Sequence, residues 1–181
     1  QLGYTLPPHF REVLLENTAH LEFWWYLYHF LEENKDFLPD EICGIFQGKL
    51  RFGLDLLLLY EEYRAVWQKD VFPNYEDKYD RVWHNKMFFQ KVFNGDYIAI
   101  ELEPENYGKV VYVSHDGSEN YGLYIADNFK EFLMNYAAVS CTGGEDWQWE
   151  PFYTKGKGID PTSENAQAWY KVLGINPKEL G

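Results

Sequence analysis

Cysteine is scarce in this sequence, and its two cysteines, Cys43 and Cys141, lie far apart and form no CxxC pair. Metal-binding and redox motifs built on closely spaced cysteines are therefore missing. A reduced, cytoplasmic protein is the simplest interpretation, and a single disulfide between Cys43 and Cys141 is the alternative.

Long apolar runs are also missing. The longest, at 54–60, is interrupted by Asp55 and is far too short to cross a bilayer. The N-terminus has no charged segment followed by an apolar one, so we expect no signal peptide. The first residue is Gln1 rather than methionine, and we expect a short N-terminal segment of the natural protein to be missing.

Positive charge is in short supply, with 16 Lys and Arg against 29 Asp and Glu, for a net charge of −13. The imbalance is even along the chain: residues 1–90 carry 9 basic and 15 acidic side chains, and residues 91–181 carry 7 and 14. Such a surface repels nucleic acid and anionic membranes and accelerates the encounter with a basic partner. The alternative is that the charge only keeps the protein soluble.

Aromatic residues are abundant, at 19% of the 181 residues, with 7 Trp, 15 Tyr and 13 Phe. A chain of this length suits a single domain over 1–181, which buries roughly 70% of its unfolded surface. Aromatic side chains should then dominate both the core and any exposed contact surface.

Hydrophobic periodicity predicts an α+β fold with a mixed, largely antiparallel sheet of about six strands. The predicted helices are 10–17, 54–69 and 127–139, packed mainly on one face of the sheet, and a tail helix, 163–173, at one end. Alternation in the aromatic segment 20–30 favours a strand that is covered on both faces.

The segment 93–133 has the most regular pattern. It predicts three strands, at 97–102, 109–114 and 121–125. Turns at 94–96 and 115–117 separate them, and we expect the first strand to bury only one face. Asp127 is positioned to cap the helix that follows.

Catalytic patterns are weak. The five histidines form neither HExxH nor HxH, there is no GxSxG, and neither cysteine lies in a Cys-His signature. Glu101, Glu103 and Glu105 suit a solvated hairpin edge better than a pair of glycosidase carboxylates, and His115 lies in a turn. We therefore predict no catalytic residues, no metal site and no cofactor.

A surface for a protein partner is the remaining candidate site, since acidic and tyrosine residues cluster near the turns of the 93–133 segment. The predicted partner-binding residues are Asp96, Tyr97, Glu101, Glu103, Asp116, Glu119 and Tyr121. The alternative is that the tyrosines cover the second face of the sheet beneath a loop.

The order NGDYIAIEL, GKVVYVSHD and IADNFKEFL in the segment 93–133 resembles the C-terminal half of the SMI1/KNR4 superfamily, also called SUKH. The residues 2–17 and 48–63 resemble its opening segments, and 147–152 and 158–175 resemble its tail. The resemblance spans nearly the whole chain, although 75–85 does not align with a family feature.

The resemblance implies a non-enzymatic protein-binding module. Bacterial members of the superfamily are widely immunity proteins that neutralise a cognate toxin, often a nuclease, and fungal members regulate cell-wall synthesis and signalling. We therefore expect an immunity protein for a basic toxin domain. The alternatives are a regulatory scaffold in a larger assembly and a small hydrolase that uses Glu101 or His115.

Overall fold

A computed structural model describes residues 2–179 and has the predicted α+β architecture. The helices in this part of the chain are α1 (Pro8–Glu16), α2 (Tyr28–Asn34), α3 (Leu54–Asp70), α4 (Lys78–Arg81), α5 (Phe129–Ala138), α6 (Asp146–Trp149) and α7 (Glu164–Leu173). The strands are β1 (His20–Tyr26), β2 (Gln47–Gly53), β3 (Lys86–Lys91), β4 (Tyr97–Glu101), β5 (Val110–Val113), β6 (Tyr124–Ala126), β7 (Tyr153–Thr154) and β8 (Gly158–Ile159).

The strands form three antiparallel sheets rather than the single sheet of about six strands that the sequence predicts. β3, β4, β5 and β6 lie side by side in chain order, β1 pairs with β2, and β7 pairs with β8. The prediction of one sheet is wrong because β2 approaches β3 without a backbone ladder.

Gln90 connects these two sheets through its side chain. Its Oε1 accepts the Arg51 N–H at 3.3 Å, and its Nε2 donates to the Lys49 carbonyl at 3.4 Å. The register of β3 shifts between Phe88 and Gln90, as it does at a β-bulge. The buried side-chain amide of Gln90 thus provides the hydrogen bonds between β2 and β3 that a backbone ladder provides in a continuous sheet.

The four-stranded sheet is covered on both faces, so the expectation that the strand at 97–102 buries only one face is wrong. Successive residues of β4 alternate between two clusters: Ile98 and Ile100 pack in a larger cluster, and Tyr97 and Ala99 in a smaller one. α1 and α5 cover the larger cluster, where the Phe10 and Phe129 rings lie 4.6 Å apart.

The expectation that the helices pack mainly on one face of the sheet is also wrong, because α3 packs on the second face. Leu56 and Tyr60 of α3 pack there, together with Phe72 and Trp83 from the connection to β3. The Phe72 and Trp83 rings stack 4.7 Å apart. Each large side chain fully buried in this way stabilises the fold by about 1.5–3 kcal/mol.

Local signals place the ends of the later helices. The side chain of Asn128 accepts the Glu131 N–H at 3.0 Å, so α5 is capped one residue beyond the predicted Asp127. Ser163, predicted as the first residue of the tail helix, is instead the residue that caps α7, and Gly174 ends that helix with a φ of 69°.

The C-terminal tail packs on the same core as the rest of the chain. Trp149, Phe152 and Trp169 are fully buried in the larger cluster. Burial would raise the pKa of Asp160, but hydrogen bonds from Thr162 and Lys157 outweigh it and lower that pKa to about 2.

The two cysteines are not paired in this structure: Cys43 is exposed and Cys141 is buried. Burial raises the pKa of the Cys141 thiol to about 12, which keeps it protonated and unreactive. Within residues 2–179 no helix has the length and apolar character needed to cross a membrane.

The β1–β2 hairpin departs most from expectation. The sequence predicts a strand at 20–30 that is covered on both faces, but β1 ends at Tyr26 and α2 begins at Tyr28. Phe23, Trp24 and Tyr26 are all exposed. β1 has a partner strand only on the side of β2. A large aromatic surface therefore faces solvent.

Candidate functional site

Asp96 is the centre of a buried hydrogen-bond network rather than a surface residue. It is 1% exposed, and its carboxylate accepts bonds from the Tyr112 hydroxyl, from the Asn94 side chain at 2.7 Å and from the His115 N–H at 2.8 Å. Burial and this contact with Asp96 raise the pKa of Tyr112. Gly95, with a φ of 103°, allows the turn to bring Asp96 inward. The network joins the turn before β4 to the end of β5.

Tyr97 and Glu101, at the two ends of β4, are also buried. Tyr97 stacks on Phe88 at 4.5 Å, and burial raises its pKa to about 12. Glu101 is 3% exposed and forms an ion pair with Lys86 at 2.8 Å, while the Tyr124 hydroxyl donates to it at 3.0 Å. The predicted surface therefore loses Asp96, Tyr97 and Glu101 as accessible side chains.

The other predicted residues stay at the surface. Asp116 and Glu119 are exposed, and Glu103 and Tyr121 are half-buried. Hydrogen bonds from Tyr75 and Asn85 lower the pKa of Glu103, and one from Ser114 lowers that of Asp116.

These four residues do not form one patch. Glu103 follows β4, whereas Asp116 and Glu119 follow β5, which runs antiparallel to it. Consecutive turns of an antiparallel meander lie at opposite ends of the strands, about 13 Å apart for strands of this length. Their role in partner binding stays a prediction.

The hydrolase alternative finds little support in this geometry. Both Glu101 oxygens are occupied, by Lys86, Tyr124 and the Glu103 N–H. The His115 Nδ1 lies 2.6 Å from the same Asp96 oxygen that accepts the His115 backbone N–H, which fixes the loop. Across residues 2–179, no three His, Cys, Asp or Glu side chains are grouped to hold a metal ion.

A concave surface lies beside the β1–β2 hairpin and is called the hairpin cleft. It has a volume of about 350 Å³. Its exposed aromatic walls are Trp24, Tyr26 and Phe93, and Lys49 and Lys91 bring positive charge to it. Trp24 is 70% exposed and Phe93 is 73% exposed, so both rings are available to a partner.

Gly48 and Gly143 allow neighbouring segments to pack closely at the base of the hairpin cleft. A Cβ added to Gly48 would lie 2.1 Å from the Cys141 carbonyl oxygen, and one added to Gly143 would lie 2.0 Å from the Gln148 Oε1. A side chain at Gly48 would force the hairpin away from the 141–144 segment, and one at Gly143 would displace the Gln148 side chain. The shape of the cleft therefore depends on residues from distant parts of the chain.

The electrostatics of the hairpin cleft differ from those of the whole chain. Lys49 lies over the Phe93 ring with its Nζ 5.1 Å from the centroid. Glu22 is the nearby counter-charge, 3.8 Å from Lys49 and 3.7 Å from Arg51. These partly exposed ion pairs contribute little to stability, about 0–1 kcal/mol each.

Sequence reasoning missed this cleft, although one signal was visible. Segment 20–30 is the most aromatic part of the chain, and its apolar side chains occupy both faces of the predicted strand. Such a strand is either covered on both faces or exposes one apolar face. The sequence around it could not identify which.

Among known proteins, no curated protein and no solved structure matches this chain, but one family model does. The family model for SMI1/KNR4 (SUKH-1) matches residues 1–135, from the N-terminal segment through most of α5. That range includes β1 to β6, the Asp96 network and the three aromatic walls of the hairpin cleft. The match does not extend to 147–152 or 158–175, so the resemblance of the tail stays a prediction. Over residues 1–135 the predicted resemblance is confirmed, and the chain belongs to the SMI1/KNR4 family (SUKH-1).

Proposed function

We propose that this chain is a non-enzymatic protein-binding module that neutralises a cognate bacterial toxin by forming a complex with it. Membership of the SMI1/KNR4 family supports the general class of function. The observation that carries the proposal is the exposed aromatic surface of β1 and the adjoining hairpin cleft.

This surface has the composition of a binding interface. Trp24, Tyr26, Tyr28 and Phe93 are large side chains at the surface, and the Tyr26 and Tyr28 rings stack 6.4 Å apart. Exposing such rings to water is unfavourable unless a partner covers them, and Trp and Tyr are enriched among the residues that dominate binding energy. The surface therefore suits a protein interface.

The net charge of the chain supports a basic partner, although Lys49 and Lys91 make the hairpin cleft locally positive. At −13 the chain attracts a basic protein over several ångströms and accelerates its association. A nuclease toxin is basic where it holds nucleic acid, so an acidic inhibitor is steered to that surface. Complex formation then blocks the substrate.

The test is co-expression with each candidate toxin domain that the genes adjacent to this one encode. We expect the chain to restore growth of cells that produce the toxin, and to co-elute with the purified toxin at a 1:1 ratio. Association should slow as salt rises from about 50 to 500 mM, because added salt screens the attraction. A toxin that stays active and elutes separately would overturn the proposal, whereas binding without protection would favour the regulatory scaffold.

A further inference from the structure

β1 presents one unpaired backbone edge. The Leu27 N–H donates to Phe46 at 2.8 Å, and the Leu54 N–H donates to Ala19 at 3.0 Å. In an antiparallel ladder such hydrogen-bonded pairs alternate with pairs whose backbone groups point outward. In the β1–β2 register, the backbone groups of residues 22, 24 and 26 therefore point away from β2.

One end of this edge is closed by a side chain. Thr18 accepts the His20 N–H at 3.2 Å and donates to the His20 carbonyl at 2.5 Å. The next outward residues, Glu22 and Trp24, have no strand beside them anywhere in residues 2–179. Their N–H and C=O groups are open to a further strand.

The edge also lacks the usual protection against strand addition. Lysine and proline, which commonly block exposed edges, do not occur in the seven residues HLEFWWY. Glu22 is the only acidic residue among them, and Phe23, Trp24 and Tyr26 are exposed around it. Such an edge is suited to pairing with another chain.

We propose that the partner adds a β-strand to the free edge of β1, in an inference that rests on the proposed function. The strand would exchange backbone hydrogen bonds with Glu22 and Trp24 and extend the β1–β2 sheet to three strands. Apolar side chains on one face of the added strand would pack against Trp24 and Tyr26.

Charge selects a strand of the basic toxin over a second copy of this chain. Two copies would each carry a net charge of −13 and would repel one another as they approach. A basic side chain opposite Glu22 is favoured. The existing partners of Glu22 are Lys49 at 3.8 Å and Arg51 at 3.7 Å. Both are too far away to hydrogen-bond, so the Glu22 carboxylate can still accept a bond from a closer cation.

The experiment is residue-resolved amide hydrogen exchange on the free chain and on its purified complex with the toxin. The inward amides of residues 21, 23 and 25 are an internal control, because their hydrogen bonds to β2 already slow exchange. We expect the amides of Glu22 and Trp24 to exchange at least about 100-fold more slowly in the complex.

A proline variant gives a second measurement. Glu22→Pro removes an outward N–H that the fold does not use, and Glu22→Ala is the matched control for loss of the side chain. We expect Glu22→Pro to weaken toxin binding at least about tenfold relative to Glu22→Ala. If the proline variant fails to fold, the exchange measurement on the unmodified chain still decides.

The outcomes separate the two proposals. Absence of any complex overturns the proposed function and this inference with it. A complex in which the Glu22 and Trp24 amides stay as fast as in the free chain overturns strand addition alone. Protection of the same amides in a concentration-dependent dimer of the free chain would identify a second copy as the occupant and overturn the choice of partner.

Discussion

β1 and β4 are both rich in aromatic and aliphatic residues, yet they occupy opposite environments. β4 lies between β3 and β5, and all five of its residues are buried, including the charged Glu101. β1 pairs only with β2, and even Trp24 is exposed. The number of neighbouring elements, rather than composition, decides which strand belongs to the core. In this molecule carboxylates beside β4 hold the fold together, and aromatic rings on β1 are free to bind.

The largest effect on stability should come from the β4 region. Asp96→Ala removes the acceptor shared by Tyr112, Asn94 and His115, and leaves the fully buried Tyr112 hydroxyl without its partner. We expect the free energy of unfolding to fall by about 3–4 kcal/mol in urea denaturation.

The matched control is Glu119→Ala, which removes an exposed carboxylate from the loop at the same end of the sheet. We expect its stability to stay within about 0.5 kcal/mol of the unmodified chain. A loss below about 1 kcal/mol for Asp96→Ala would mean that the buried network is not what holds the turn against β5.

The Lys86–Glu101 ion pair should have the next largest effect. Lys86→Met leaves the Glu101 carboxylate buried without its counter-charge, and we expect a loss of about 3 kcal/mol in the free energy of unfolding. Adding Glu101→Gln removes that charge and keeps an acceptor for Tyr124.

The double variant should therefore recover at least about 1 kcal/mol relative to Lys86→Met, measured by urea denaturation at neutral pH. A double variant no more stable than Lys86→Met would show that the charge of Glu101 is not the source of the loss. The stability of the β4 region would then depend on the shape of the Lys86 side chain alone.

Local sequence signals were sufficient to locate β4 and β5, whereas the strand predicted at 121–125 is shifted to β6 at Tyr124–Ala126. The predicted strand at 97–102 is β4 at Tyr97–Glu101, because alternation and the Asn-Gly-Asp turn act within a few residues. The division of the strands between sheets could not be predicted. It depends on the Gln90 side chain reaching Lys49 and Arg51, about 40 residues earlier in the chain.

The candidate site was predicted less well for the same reason. Acidic residues beside turns are usually solvated, and only distant partners reveal that Asp96 and Glu101 are buried: His115 for the first and Lys86 for the second. Trp24 shows the converse error. An aromatic strand pattern indicates which side chains are apolar, but not whether any other part of the chain covers them.

The smallest effect on stability should come from Trp24, and it separates the two regions most clearly. Its ring contacts no other aromatic ring among residues 2–179, so Trp24→Ala should change the free energy of unfolding by no more than about 0.5 kcal/mol. Trp149→Ala, a truncation of the same size at a fully buried position, should cost about 3–5 kcal/mol.

Toxin binding should respond in the opposite way: titration calorimetry with Trp24→Ala should show a loss of about 2 kcal/mol in binding free energy, which is roughly 30-fold in Kd. If Trp24→Ala instead destabilised the chain as strongly as Trp149→Ala, the β1 surface would be part of the core. If it changed neither stability nor binding, the exposed ring would have no part in the interface, and the contrast between β1 and β4 would concern packing alone.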